Sequence, residues 1–130
     1  MSTQKKMNDL LNKMSNKKNF LSLDEVYLQE YRGPNRVSHI GKSVITDSND
    51  VALLVTSAIK NADIKSSSKP NNALLYIEAP KSVSLEKIIE INTTAEDKLP
   101  CPFKYAVGYS TSDDIKLSIV YLKNTDVQQI

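Results

Sequence analysis

The 130 residues include one cysteine, three glycines and one histidine, and no tryptophan. A single thiol cannot close a disulfide within the chain, so Cys101 indicates a protein that keeps its cysteine reduced. The glycines, Gly33, Gly41 and Gly108, are too few and too scattered to build a glycine-rich loop around a phosphate. A lone histidine, His39, cannot hold a metal without further ligands. We therefore expect no cofactor, no metal site and no catalytic site of its own.

Long apolar segments and concentrated charge are missing as well. The sequence has no run of about 18 apolar residues, the length that a membrane-spanning helix needs, and its N-terminus lacks the continuous apolar stretch of a signal peptide. The formal net charge is +2, and the only arginines are Arg32 and Arg36. Because phosphate neutralisation needs a concentrated basic face, this composition argues against nucleic acid as a partner. We expect a cytoplasmic protein without a membrane span.

The chain has the length and composition of one globular domain. Hydrophobic residues make up 40% and charged residues 25% of the sequence, which suffices for a core without disulfides or metal. Residues 1–19 are polar apart from an apolar stripe at helical spacing, which predicts an amphipathic helix that docks on the domain or on a partner. Residues 20–130 are predicted to form the domain itself. The stripe consists of Met7, Leu10, Leu11 and Met14.

Turn residues and periodicity predict the next elements. Ser22 and Glu25 have the spacing of a capping box, in which each side chain binds the other residue's amide, so a short helix should begin there. A strand over 37–44 and a helix whose core face spans 51–59 should follow. Residues 73–79 are nearly all apolar, which is typical of a central strand covered on both faces.

The last third of the chain predicts one more helix and two strands. Ser84 is a suitable cap for a helix, with three apolar residues expected to face inward: Leu85, Ile88 and Ile89. Two alternating segments, 103–109 and 115–121, are separated by a short polar turn and predict a β-hairpin. The predicted order is thus helix, helix, strand, helix, strand, helix, strand, strand.

Short fragments along this series occur in the same order as in a known family. A strand ends in isoleucine–glycine, a helix closes with alanine–isoleucine, and an apolar strand precedes a serine–leucine–glutamate helix start. The fragments are Ile40–Gly41, Ser48–Asn49, Ala58–Ile59, 73–77, Ser84–Leu85–Glu86, 103–108, Asp113–Asp114 and 115–120. Together they resemble the C-terminal domain of FtsZ, the bacterial relative of tubulin, over residues 20–123.

This resemblance implies an α+β fold with a single four-stranded sheet, packed with two to three helices and preceded by the N-terminal amphipathic helix. It does not extend to the GTP-binding half of the family, whose glycine-rich phosphate loop has no counterpart in this sequence. Gly41–Lys42–Ser43 is similar to the end of a Walker A loop, but Gly33 lies eight positions before Gly41 where the motif needs five. The chain is therefore expected to lack GTPase activity.

In the family, the loop ahead of this domain carries acidic residues that contact the nucleotide of the next subunit in a filament. Asp24 and Glu25 stand where that loop should end. Two interpretations stay open for them, a contribution in trans to a partner's GTP hydrolysis or the capping of a helix alone. The resemblance implies partner contact around this loop, through Ser22, Asp24, Glu25, Arg32 and Arg36.

The resulting hypothesis is a non-catalytic interaction module that resembles a free-standing FtsZ C-terminal domain. It would bind an FtsZ- or tubulin-like GTPase, or further copies of itself, and modulate assembly in cell division or the cytoskeleton. One alternative is a small-molecule enzyme whose site lies between subunits and gathers His39, Arg36 and a carboxylate. Another is a nucleic-acid accessory protein that uses the lysine-rich N-terminal helix.

Overall fold

Helices and strands alternate along the part of the chain that the structure, a computed structural model, describes: residues 3–32, 37–63 and 70–122. Their succession confirms the order predicted from periodicity and turns. The elements are α1 (Thr3–Met14), α2 (Glu25–Arg32), β1 (Val37–Ile45), α3 (Val51–Ala62), β2 (Asn72–Ala79), α4 (Leu85–Lys98), β3 (Phe103–Tyr109) and β4 (Ile115–Leu122).

The strands of the described residues form one mixed sheet in the order β1–β4–β2–β3. β4 is antiparallel to β1 and to β2, whereas β2 and β3 are parallel neighbours connected through α4. Ile77 of β2, for example, pairs with Val107 of β3 on one side and with Leu117 of β4 on the other. β2 and β4 are therefore the central strands, and the prediction of a covered central strand at 73–79 is confirmed.

The predicted C-terminal hairpin is wrong, because β2 lies between β3 and β4. The connection over 110–114 passes the end of β2, where the Ser110 amide donates to the Ala79 carbonyl oxygen at 2.9 Å. Two strand spacings amount to about 10 Å, which a connection of this length can span. Alternation along the sequence cannot distinguish this crossing from a tight turn, because both leave the same pattern in each strand.

Helices cover both faces of the sheet. α3 and α4 pack on one face, and α1 and α2 pack on the other. Side chains point alternately to the two faces along a strand, so both central strands are almost wholly buried. The α+β class with a single four-stranded sheet is thereby confirmed. On the α3–α4 face lie Leu75, Ile77, Leu117 and Ile119; on the α1–α2 face lie Leu74, Tyr76, Val120 and Leu122.

α1 contributes its whole apolar stripe to the second of these layers. The four predicted residues are between 0% and 5% exposed, and they share a cluster with Leu28 and Tyr31 of α2. Burial of a side chain of this size stabilises a fold by about 1.5–3 kcal/mol. The N-terminal helix therefore docks on the sheet. No helix among the described residues combines the length and the apolar content needed to cross a bilayer.

α4 begins where the sequence predicts but buries a different face. The Lys87 amide donates to the Ser84 hydroxyl oxygen at 3.2 Å, which confirms Ser84 as the cap. Leu85 and Ile89 are 57% and 54% exposed, so their predicted inward orientation is wrong. These two side chains lie on the outer side of α4 and border grooves beside β3. The buried face consists of Ile88, Ile91 and Ala95.

The fragment Gly41–Lys42–Ser43 lies within β1, where α3 packs against the strand. A Cβ on Gly41 would lie 2.1 Å from the carbonyl oxygen of Ala58, so the close approach of helix and strand requires glycine. The Ser43 hydroxyl donates to the Leu54 carbonyl oxygen at 2.5 Å in the same contact. These residues therefore serve helix–strand packing and do not form a phosphate loop.

Candidate interaction site

Asp24 and Glu25, the acidic residues identified from the sequence, stand at the N-terminus of α2. The helix begins at Glu25, and the Val26 amide donates to Oδ1 of Asp24 at 3.1 Å. The Glu25 carboxylate accepts two hydrogen bonds from the Arg32 guanidinium, one of them 2.9 Å from Nη2 to Oε1. The predicted capping box between Ser22 and Glu25 is therefore wrong. Asp24, directly before the helix, has the better position to bind a first-turn amide.

The pairing with Arg32 sets the charge state of Glu25. Hydrogen bonds from the Arg32 guanidinium hold the pKa of Glu25 below its ordinary value of 4.5, against the opposing effects of burial and of neighbouring Asp24. A carboxylate with a lowered pKa is a weaker proton acceptor at neutral pH. Ser22 lies exposed in the loop before α2. Arg36, the fifth predicted contact residue, lies outside the described residues.

The loop over residues 15–24, called loop 15–24 below, connects α1 to α2 and is fixed to the edge of the sheet. Leu21 and Val107 of β3 exchange two backbone hydrogen bonds, of 3.1 and 2.8 Å. The Leu23 amide donates to the carbonyl oxygen of Met14, the last residue of α1, at 2.8 Å. The loop therefore follows one defined path along the β3 edge.

Asn19 connects this loop to α1 and to the sheet through its side-chain amide. Its Nδ2 donates to the Lys13 carbonyl oxygen at 2.7 Å, and its Oδ1 accepts from the Tyr76 hydroxyl at 3.2 Å. The last carbonyl groups of a helix need such external donors. Gly108 provides the space that the Tyr76 hydroxyl occupies, because a Cβ at this position would lie 2.0 Å from the hydroxyl oxygen. Asn19 thus binds the end of α1 and positions the loop.

An apolar groove of about 270 Å³ opens beside this loop, where β2 and β3 end. Phe20 of the loop and Tyr109 of β3 meet edge to face, with ring centroids 6.5 Å apart. The Nζ atom of Lys81 lies 5.2 Å from the Tyr109 ring centroid. Phe20, Tyr109 and Leu85 are each about half exposed. Leu21, beside Phe20, is exposed as well. We define the loop-end surface as Phe20, Leu21, Lys81, Leu85 and Tyr109.

Reasoning from the sequence missed the loop-end surface. The sequence pattern predicts Leu85 in the core and Tyr109 in a hairpin. The available signal was Phe20, the one aromatic residue of loop 15–24, which follows the polar residues 15–19. A large apolar residue outside any helical or strand period has no predicted core position, so it is a candidate for contact with a partner.

Of the residues in the alternative enzyme hypothesis, His39 lies away from this groove, on the opposite edge strand of the sheet, and Arg36 lies outside the described residues. His39 is in β1 opposite Tyr121 of β4, and its Nδ1 atom is buried without a hydrogen-bond partner. Cys101 is half-buried in the connection between α4 and β3. Within residues 3–32, 37–63 and 70–122, no group of three or more His, Cys, Asp or Glu side chains is placed to hold a metal ion. We place the candidate site at the loop-end surface and the adjoining start of α2.

The mixed four-stranded sheet with helices on both faces matches the C-terminal-like domain fold of FtsZ and tubulin. A tryptophan-to-tyrosine mutant of FtsZ from M. jannaschii superposes with a TM-score of 0.68 at 15% identity, over 86% of this chain and 35% of the FtsZ chain. An empty FtsZ dimer from M. jannaschii gives a TM-score of 0.65 at 14% identity, over 89% of this chain and 35% of that one.

TubZ from Bacillus thuringiensis serovar israelensis, in GDP-form protofilaments, is a further structural neighbour. Its TM-score is 0.59 at 11% identity, over 81% of this chain and 31% of the TubZ chain. The chain thus spans about a third of the length of these proteins, and the likeness is one of fold. No protein-family model matches the sequence, and neither does any curated protein.

Proposed function

We propose that this chain is a non-catalytic interaction module with the C-terminal fold of FtsZ. It binds an FtsZ- or tubulin-like subunit, or a second copy of itself, and modulates its assembly. The observation that carries the proposal is the loop-end surface, an apolar and aromatic patch on a loop that the sheet holds in place. Loop 15–24 is the connection in which the family resemblance locates subunit contact.

The loop-end surface has the properties of a preformed contact. Phe20 and Leu21 lie in a segment that is fixed at two points. The backbone of Leu21 is hydrogen-bonded to Val107, and the side chain of Asn19 is hydrogen-bonded to Tyr76. A loop ordered before binding loses less conformational entropy when a partner docks. Aromatic side chains such as Phe20 and Tyr109 contribute a large share of the binding energy at protein interfaces.

The structural neighbours support a partner of the same kind. One of the similar FtsZ structures is a dimer, and the similar TubZ structure contains protofilaments. Those proteins associate with their own kind, and we propose that this chain uses its related fold in such an association. Since it spans about a third of their length, it would act by occupying one end of a neighbouring subunit.

Asp24 and Glu25 have different prospects of assisting a partner's GTP hydrolysis. Glu25 is engaged by Arg32 through two hydrogen bonds. Asp24 is exposed, and its carboxylate accepts a hydrogen bond from the Val26 amide. If any group acts in trans, we expect Asp24 to be that group and Glu25 with Arg32 to orient the helix end beside it.

Sedimentation of a tubulin-like GTPase from the same genome tests the proposal. Polymer mass and GTP turnover are measured with and without an equimolar amount of this chain, and we expect both to change. The variant Phe20→Ala with Tyr109→Ala should abolish the effect. Leu53→Ala is the matched control, because Leu53 is equally exposed but lies on α3. Unchanged polymer mass and turnover with the unmodified chain, or equal loss of effect in the control, would contradict the proposal.

A further inference from the structure

We infer that the β3 edge at Phe103–Tyr105 binds an extended, acidic segment of a partner protein, which adds to the sheet as a strand beside β3. This site lies along the edge of the sheet, apart from the groove at the end of β2 and β3. Binding at this edge does not require a tubulin-like partner.

The backbone of β3 is open at this position. β3 pairs with β2 on one side, and on its outer side both backbone groups of Val107 bind Leu21. Backbone groups along a strand alternate in direction, so those of Phe103 and Tyr105 point outward as well. Within the described residues, no hydrogen bond reaches these outward groups. Unpaired amides and carbonyls on an edge strand are a template for another strand.

Loop 15–24 shows the geometry with which this edge accepts a segment. Leu21 forms an antiparallel bridge with Val107, and a straight continuation would place Leu23 opposite Tyr105. Instead the Leu23 amide donates to the Met14 carbonyl oxygen, and the chain enters α2. The chain thus pairs with β3 at one residue and turns away, which leaves the neighbouring positions available to an antiparallel segment.

A groove flanks the open edge on each face of the sheet. The groove on the α4 side has a volume of about 630 Å³ and is bordered by Ile89 and Tyr105. The groove on the α2 side has a volume of about 200 Å³ and is bordered by Tyr27, Tyr31 and Lys104. Side chains of an added strand would enter the two grooves alternately. A helix laid along the edge could fill only one of them, so the geometry favours an extended occupant.

The chemistry of the two grooves defines the segment. A residue opposite Tyr105 would point to the α4 side, where Ile89 offers apolar contact and the buried Oδ1 of Asn92 has no hydrogen-bond partner. A residue opposite Lys104 would point to the α2 side. There the Lys104 ammonium lies 4.5 Å from the Tyr27 ring centroid, and opposite charges across a strand pair are favourable. Glu30 also borders this groove, but Lys104 is the charged group on β3 itself. The segment therefore alternates apolar and acidic residues.

A second copy of this chain fits the edge less well. Two β3 strands paired about their centres would bring Lys104 opposite its own copy, and like charges directly opposite destabilise a strand pair. The Leu21 bridge restricts the open length to Phe103–Tyr105.

Amide hydrogen exchange, followed residue by residue by NMR, tests whether the edge is open. In the free chain the Tyr105 amide should exchange at least ~100-fold faster than the Lys104 and Ala106 amides, which face β2. Protection of Tyr105 that rises with protein concentration would show a second copy at the edge. Protection that is independent of concentration would show that the chain covers the edge itself. Either result overturns the inference.

Selection from a random heptapeptide phage library on the purified chain tests the occupant. We expect selected peptides to alternate apolar and acidic residues and to slow the exchange of the Tyr105 amide. Synthetic copies should bind Tyr105→Pro about tenfold more weakly than Tyr105→Ala, since both variants lack the ring and only proline lacks the outward N–H. Lys104→Glu should change the selected charge from acidic to basic. If the Tyr105→Pro variant does not fold, the change of selected charge with Lys104→Glu still tests the inference.

Three results would overturn the inference. The first is that the apolar residues of the selected peptides have helical spacing. The second is that a synthetic peptide binds the folded Tyr105→Pro and Tyr105→Ala variants equally well. The third is that Lys104→Glu selects peptides with the same consensus sequence as the unmodified chain. Circular dichroism establishes that each variant is folded before its binding is compared. Peptides that bind but protect only the loop-end surface would assign the selected segment to that surface instead and would equally contradict the inference.

Discussion

The substitution Gly108→Ala tests how loop 15–24 is held on the sheet. The new Cβ would lie 2.0 Å from the Tyr76 hydroxyl oxygen and 3.0 Å from Oδ1 of Asn19. Tyr76 is only 5% exposed, so its ring cannot move into solvent at low cost. Overpacking of this kind costs about 1–3 kcal/mol, and loss of the Tyr76–Asn19 hydrogen bond adds about 0.5–1.5 kcal/mol. We expect the free energy of unfolding to fall by about 2–4 kcal/mol.

Tyr76→Phe separates the two contributions, and urea denaturation followed by far-UV circular dichroism measures them. The single variant removes the hydroxyl and should cost about 1 kcal/mol. Combined with Gly108→Ala, it removes the atom of closest approach, although a ring carbon 2.8 Å from the new Cβ remains. The double variant should therefore be at least about 1 kcal/mol more stable than the sum of the singles predicts. Additivity within about 0.5 kcal/mol would refute this account of Gly108.

Two further predictions concern α1 and the start of α2. Leu11→Ala should lower the free energy of unfolding by about 2–5 kcal/mol, because the Leu11 side chain is fully buried where α1 packs on the sheet. A change below about 0.5 kcal/mol in a urea titration would show that α1 does not dock on the sheet. Because Arg32 lowers the pKa of Glu25, their pair stabilises the fold above the ordinary pKa of 4.5 and loses this effect as the pH falls through the lowered value. Because the pair is so exposed, the unmodified chain should be more stable than Glu25→Gln by less than about 1 kcal/mol at pH 7. This difference in the free energy of unfolding should vanish under more acidic conditions. A difference that grows on acidification would contradict the pairing.

The helices and strands could be predicted because each has its own local period. The stripe of α1 and the apolar run of β2 each determine which side chains must leave water, independently of the rest of the chain. Ser84 has a similarly local effect, since a cap acts on the amides of the next turn. Such elements need no knowledge of their neighbours.

The strand order could not be predicted from the same signals. β3 and β4 have the alternation of a hairpin, yet β2 lies between them. The exposure of Leu85 and Ile89 has the same origin, because the inward face of α4 depends on where β3 lies relative to the helix. Pairing and exposure are properties of the assembled sheet, whereas a local pattern reports only the conformation of its own segment.

The partner-contact residues inferred from the sequence stay a prediction, and the proposed loop-end surface could not have been found in the same way. Asp24 and Glu25 stand at the start of α2, and Arg32 at its end binds Glu25, but these hydrogen bonds stabilise the helix itself. The loop-end surface requires Phe20 and Tyr109, which are 89 positions apart in the sequence, to meet at the end of the sheet. The bridge between Leu21 and Val107 and the hydrogen bond between Asn19 and Tyr76 bring them together. A motif confined to consecutive residues cannot contain such a site.

The exposed apolar residues of this chain favour binding over a purely structural role. Phe20, Leu21 and Tyr109 lie around a groove, and Ile89 borders the next groove along the same edge. Side chains half exposed to water add little to folding stability, and contiguous apolar patches promote aggregation unless something covers them. Stability alone would therefore permit polar residues at these positions. Their grouping along one edge strand, where within the described residues the outward backbone groups of Phe103 and Tyr105 also have no hydrogen-bond partner, supports our proposal that partners dock there.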